Sequence, residues 1–264
     1  MYKPRSELKV LVKHLDRVPH YLFRTSAPKT NGTTSITLVQ SAAADNGYDT
    51  TDILSRPTSK AAEMLERHCL WKNDDNDNLT SWTSSFLFAI QLAVYRRFND
   101  WDSPDPSSIK VHILDTRRLP RGTFLSAAPL LEAYHVTNPK LIHRYRHAEY
   151  LSQGSIVIPT DAMATMTYQS LIDHGLHKLY PRFADEEHYG RLIHRVNQLR
   201  NSFKDSAAIA PTTEELIVAQ KIAAQWCFFG EMRAVTMATL LSLEPRFRNE
   251  PIVLQAFRSN RWSQ

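Results

Sequence analysis

Segments patterned like β-strands crowd into roughly the first 160 residues of this 264-residue chain, and helical patterns dominate the remainder. His20–Arg24 (HYLFR) and Ser35–Gln40 (SITLVQ) read as short extended pieces, parted by the turn-rich stretch Pro28–Thr34. Ser108–Leu114 alternates apolar residues at Ile109, Val111 and Ile113, which predicts a strand with one buried face. His147–Leu151 and Ser155–Ile158 read as two further strands joined through Ser152, Gln153 and Gly154. Lys60–Lys72 has helical composition and runs into the polar loop Asn73–Asn78. Phe86–Phe98 is nearly all apolar with few β-branched residues, which predicts a central, buried helix. A short helix is expected over Ser126–Tyr134. Beyond Ala164 the helical stretches are Thr167–His174, closed by Gly175, then Asp185–Phe203 and Thr213–Leu243. Strands and helices segregated in this way argue for an α+β fold with helices beside the sheet, not for alternating βαβ units. The expected organisation is a core over 1–180 with a helical extension over 181–264 packed on it as one compact unit.

Composition narrows the function classes. At 42% hydrophobic and 22% charged the chain is an ordinary globular sequence, and no apolar run reaches the roughly 18 residues of a membrane helix. Its N-terminus, MYKPRSELKV, continues into KHLDR and so does not read as a secretory signal. Cys69 and Cys227 lie far apart with no CxxC spacing, so neither a disulfide framework nor a zinc site is indicated, and a reduced, cytoplasmic protein is expected. His143 and His147 stand four apart, a metal spacing only on a helix, and His147 leads into a strand; no metal is expected. There is no P-loop, GxGxxG or HExxH, which argues against a glycine-built phosphate cradle.

The charge is localised. Lys110 to His147 holds seven basic residues, Lys110, Arg117, Arg118, Arg121, Lys140, Arg144 and Arg146, against Asp115 and Glu132, an excess equal to the +5 of the whole chain. Such a face is either solvated or in contact with a polyanion, and as a nucleic-acid surface it would read backbone charge, since no RNA-binding signature accompanies it.

Three polar groups sit at the ends of apolar strands: Arg24, the hydroxyl cluster Thr80, Ser81, Thr83, Ser84 and Ser85, and Glu149. A guanidinium suits phosphate or carboxylate, hydroxyls cap helices or act as nucleophiles, and a carboxylate in a cleft acts as a base or holds a cation. Trp82 and Tyr150 suit either the core or the wall of a pocket.

Arginine, then hydroxyls before a helix, then glutamate on a late strand resembles the ADP-ribosyltransferase fold. More closely, LTSWTSSFLFAIQLA (79–93), ILDT (113–116) with LPRGTF (119–124), and EYLSQG (149–154) resemble a fungal family of unknown function with that fold, which includes arginine-containing cyclodipeptide synthases. The resemblance covers roughly Tyr21 to Tyr180 and implies a mixed or antiparallel sheet with flanking helices. It implies catalytic roles for Glu149, Ser81 and Thr83, and substrate contacts for Arg24, Trp82, Tyr150 and Gln153. Arginine-modifying transferases carry Glu or Gln two residues before the glutamate, where this chain has His147, which turns the reading away from protein-arginine modification.

The activity implied is a tRNA-dependent cyclodipeptide synthase of secondary metabolism, joining an arginyl group from Arg-tRNA to a second aminoacyl group as a diketopiperazine. The ester to tRNA is already activated, so no cofactor is expected, and Arg117, Arg118, Arg121, Lys140, Arg144 and Arg146 would meet tRNA phosphates. The alternatives are an NAD-consuming ADP-ribosyltransferase or glycohydrolase, with NAD as cofactor, and a catalytically inactive interaction module.

Overall fold

The structure is a computed structural model in which residues 1–72, 74–99, 103–144, 148–184, 192–226, 230–247 and 251 are described. It is α+β: helix takes 48% of the described residues and strand 17%. The strands are β1 (Tyr21–Ser26), β2 (Leu38–Gln40), β3 (Leu79–Thr83), β4 (Lys110–Asp115), β5 (Leu125–Ser126), β6 (Glu149–Gln153), β7 (Ser155–Val157) and β8 (Met163–Thr167). Six of them form one sheet in the order β5-β6-β3-β1-β4-β8, and β2 pairs with β7 in a second. The pairs β1–β3, β3–β6, β5–β6 and β2–β7 are antiparallel.

Two compact units emerge: Met1–Ser85 with Ile113–Met163, and Phe86–His112 with the described residues from Ala164 on. In the first, alternation along β3 and β6 sorts side chains by face. Leu79, Ser81 and Thr83 face one way with their partners Gln153, Leu151 and Glu149, while Thr80 and Trp82 face the other with Ser152 and Tyr150. This unit carries the helices α1 (Val12–Leu15), α2 (Ala42–Asp45), α3 (Thr58–Cys69), α5 (Ala127–Ala133) and α6 (Pro139–Arg144), and α3 and α5 cover the first face. Helix α3 forms because Ala61, Leu65 and Cys69 recur at helical spacing, and these three are its fully buried residues. The second face packs Trp82 with Leu22, Val39, Leu114 and Phe124.

Buried Asn78 ties these layers together. Its Oδ1 accepts from Ser41 Oγ (3.1 Å) and Gly154 N (2.9 Å), and its Nδ2 donates to Thr51 O (3.2 Å). Gly154, at φ +63°, makes the left-handed step that lets the chain leave β6 for β7 in the other sheet. The second unit holds α4 (Phe86–Asn99), α7 (Tyr168–Asp173), α8 (Leu176–Leu179), α9 (Leu192–Asp205), α10 (Thr213–Trp226) and α11 (Gly230–Leu241). Here α4 packs on α9, and α10 on α8 and α11, with Phe86 tilted against Trp226 at 5.7 Å.

Several sequence expectations change. The strand over Ser108–Leu114 exists as β4, but it is buried on both faces, including His112, whose Nδ1 meets Thr165 Oγ1 at 2.7 Å. The two strands joined through Ser152, Gln153 and Gly154 exist as β6 and β7, but Ser152 and Gln153 continue β6, so Gly154 alone joins them, and β7 pairs with β2. The stretch read as the onset of helices contains β8, because Met163–Thr167 supplies an edge to the sheet before Thr167 caps α7. Thr213–Leu243 is two helices, not one. Near the N-terminus, ahead of the first expected strand, Leu8, Leu11 and Leu15 recur at helical spacing and form a 3-10 turn (Ser6–Leu11) leading into a short helix (Val12–Leu15). Residues 185–191 of the helix expected over Asp185–Phe203 lie outside the described residues, as does Asn73 of the polar loop.

No helix among the described residues is long and apolar enough to cross a membrane, and no group of three or more His, Cys, Asp or Glu among them is placed to hold a metal ion.

Candidate active site

Helix α3 delivers a histidine to the sheet. Ala61, Leu65 and Cys69 point into the core, so His68 lies to one side of that buried stripe, in the last turn. There the helix dipole favours a cation. The helix closes with Trp71 in the left-handed conformation (φ +57°), Trp71 N donating to His68 O (2.9 Å) and Lys72 N to Arg67 O (3.0 Å). That turn sends the chain into the polar loop and back to β3. Asp77, just before the strand, is fixed by Leu79 N donating to its Oδ1 at 2.9 Å.

The result is a chain of short contacts through Ser81. Asp77 Oδ2 lies 2.6 Å from His68 Nδ1, His68 Nε2 lies 2.7 Å from Ser81 Oγ, and Ser81 Oγ lies 2.7 Å from Glu149 Oε1. The side chains of His68 and Asp77 are only 10% and 13% exposed. Glu149 Oε2 is buried with no hydrogen-bond partner among the described residues.

Electrostatics fit a shared proton. Burial pushes the Glu149 carboxyl upward, against the opposing pull of His68 and the Ser81 hydrogen bond. Burial works against charging His68, but Asp77 and then Glu149 outweigh it, Arg24 opposing, and the imidazole ends above its ordinary value. Two proton arrangements satisfy the same contacts with the same number of protons. In one, Glu149 is ionised, Ser81 donates to it and His68 is an imidazolium; in the other, Glu149 is protonated, Ser81 donates to neutral His68. Ser81 is the hinge between them.

The residues expected at the site are divided by the sheet. Ser81, Thr83, Glu149 and Gln153 share one face. Thr83 is buried, and its Oγ1 accepts from Ser85 N at 3.1 Å, the capping role at the entrance to α4. Gln153 is a buried clamp: Oε1 accepts from Ile53 N (3.0 Å) and Nε2 donates to Asp52 Oδ1 (2.8 Å). Phe23 sits opposite Thr83, so alternation puts Arg24 on the other face, where its guanidinium carbon is 6.0 Å from the Trp82 ring centroid. From there Arg24 Nη1 donates to the main-chain oxygen of Ser81 (2.8 Å) and Nε to Thr34 Oγ1 (3.0 Å). Trp82 is core, 2% exposed, and Tyr150 is half-buried against the same cluster.

The basic segment is less free than its charge suggests. Arg117 forks onto Asp115 (2.8 and 2.7 Å) and reaches Tyr21 Oη (2.8 Å), and Arg121 forks onto Asp16 (2.5 and 2.8 Å). Arg118 and Lys140 are exposed. Arg144 ends a short helix (Pro139–Arg144), and Arg146, with Tyr145 and His147, lies outside the described residues.

Sequence reasoning missed His68 and Asp77. Loop and helix both stand where the sequence pattern puts them, but nothing local shows that helix end and loop end meet over Ser81. A search of curated proteins and one of solved structures each returned no match to the chain. Arg24, His68, Asp77, Ser81 and Glu149 all fall within residues 17–169, which match the family described as a domain of unknown function (DUF7587), and because that stretch is more than half of the chain, the chain belongs to this family.

Proposed function

We propose that the protein is an aminoacyl transferase that takes an arginyl group from tRNA and joins it to a second aminoacyl group as an arginine-containing diketopiperazine. The observation that carries the reading is Glu149: a carboxylate with one oxygen on Ser81 and the other buried without a donor among the described residues. A buried acceptor of that kind calls for a hydrogen-bond donor, best a cationic one. The α-ammonium or guanidinium of an arginyl group supplies it, and the raised carboxyl affinity for protons suits Glu149 to exchange a proton with the imidazole of the site during transfer. The aminoacyl ester is already activated, so the chemistry needs no further energy source.

An ADP-ribosyltransferase-like fold is supported by Arg24, Ser81 and Glu149 standing on the neighbouring strands β1, β3 and β6. NAD chemistry at this site would have Arg24 on the pyrophosphate beside Ser81 and Glu149. The guanidinium instead lies with Trp82 on the opposite face, which favours acyl transfer.

Expression in a bacterial host with mass analysis of the medium tests the reading. Arginine-containing cyclic dipeptides should accumulate; their absence, together with NAD loss on the purified protein, would establish the NAD-consuming alternative.

For the tRNA interaction, the exposed Arg118 and Lys140 are the residues to reverse, since Arg117 and Arg121 already have carboxylate partners. Arg118→Glu with Lys140→Glu should weaken tRNA binding and flatten its logarithmic salt dependence by about 0.7–0.9 for each phosphate no longer neutralised. Binding isotherms at several salt concentrations measure this, and an unchanged slope would make the face merely solvated.

A further inference from the structure

We propose that Ser81, His68 and Asp77 form a nucleophilic relay that carries the acyl group as a covalent aminoacyl-Ser81 ester. The identity of the acyl donor rests on the transferase reading above; the relay itself rests on geometry. A hydroxyl nucleophile needs a base within about 2.6–3.2 Å and a third group holding that base. Ser81 Oγ to His68 Nε2 is 2.7 Å, and Asp77 holds the far nitrogen at 2.6 Å. Asp77 is held in turn by the main chain of Leu79. The neighbouring nucleophile candidate is inert: burial, reinforced by Glu149 and Asp77, pushes the Cys69 thiol far up, so it stays protonated.

Glu149 makes the relay a four-membered one. When it holds a proton, His68 is neutral and accepts from Ser81, the state competent to attack. In the first step the Ser81 Oγ–carbon bond forms and the carbon–oxygen bond to the tRNA ribose breaks. The Ser81 proton passes to His68 Nε2 and from there to the departing ribose oxygen. In the second step the amine of the second aminoacyl group attacks the Ser81 ester. The nitrogen–carbon bond forms, the carbon–Oγ bond breaks, and an amine proton returns through His68 to Ser81. Ring closure then occurs by attack of the first residue's amine on the remaining tRNA ester, releasing the second tRNA.

The test uses the full chain and a fluorophosphonate, which phosphonylates an activated serine with release of fluoride. Wild type should gain one phosphonyl group, located on Ser81 by peptide mass, and Ser81→Ala none. His68→Gln should slow labelling about 10²–10⁴-fold while unfolding as cooperatively as wild type. Asp77 acts through His68 as a positioning residue. Ser81 and Glu149 still face the imidazole in Asp77→Asn, with the Arg24 charge opposing from the other face of the sheet, so the labelling rate of that variant should still rise with pH, with its midpoint moved lower. Wild-type labelling rates in folded His68→Gln, or no labelling of folded wild type, would overturn the relay. His68-dependent labelling without any product from arginyl-tRNA would leave the relay standing and remove the donor. Product from Ser81→Ala at the wild-type rate would do the reverse.

Discussion

Glu149→Gln should lose product formation by about 10²–10⁴-fold while melting no lower than wild type. Gln keeps the shape and can still accept from Ser81 through its oxygen, so the β3–β6 face need not rearrange. What disappears is the cost of burying an ionised group, because an uncharged amide nitrogen takes the place of Oε2, which has no donor among the described residues. The pH dependence fixes the sign. Glu149 and His68 both bind their protons more tightly in the folded chain than at their ordinary values of 4.5 and 6.5. Their stabilising contribution is therefore complete below those values and is lost as pH rises through the raised ones. Thermal melts across pH should show wild-type stability falling in that window, and Glu149→Gln should lack the Glu149 part of the fall. It should also titrate His68 lower, since Glu149 helps to hold its proton. A variant that melts well below wild type and falls with pH as wild type does would make Glu149 a structural anchor.

Trp82→Ala should destabilise the first unit by about 3–5 kcal/mol, the usual cost of emptying a buried aromatic site. Trp82 meets Phe124 edge-on at 5.5 Å and donates Nε1 to Ser152 Oγ at 2.9 Å, so truncation leaves both a cavity and a buried hydroxyl without its donor. Trp82→Phe keeps most of the packing and should cost much less. Denaturant titration of both variants separates the effects. A Trp82→Ala chain of near wild-type stability that has lost substrate affinity would restore Trp82 to a pocket wall.

The contrast between Trp82 and Ser81 shows how far local sequence pattern reaches. The α+β class, α3, α4 and the strands around Arg24, Ser81 and Glu149 follow from local patterns of period 3.6 and 2. Ser81 and Glu149 were legible because they interrupt apolar strands. Which face each residue takes depends on pairing register, and Phe23 opposite Thr83 is a tertiary fact that sends Arg24 away from the Ser81 hydroxyl. His68 and Asp77 were illegible for the same reason: a helix-end histidine and a loop aspartate have commonplace local roles, and only the turn at Trp71 returns one over the other. The fate of the charge excess was equally non-local, because Asp16, the partner of Arg121, stands far outside the basic segment.

Reconstitution with the purified full chain, labelled arginyl-tRNA and a mixture of other aminoacyl-tRNAs addresses the transferase reading most directly. The arginyl label should leave tRNA and appear in a cyclic dipeptide, dependent on Ser81 and Glu149. Label that remains on tRNA while added NAD is consumed would contradict that reading.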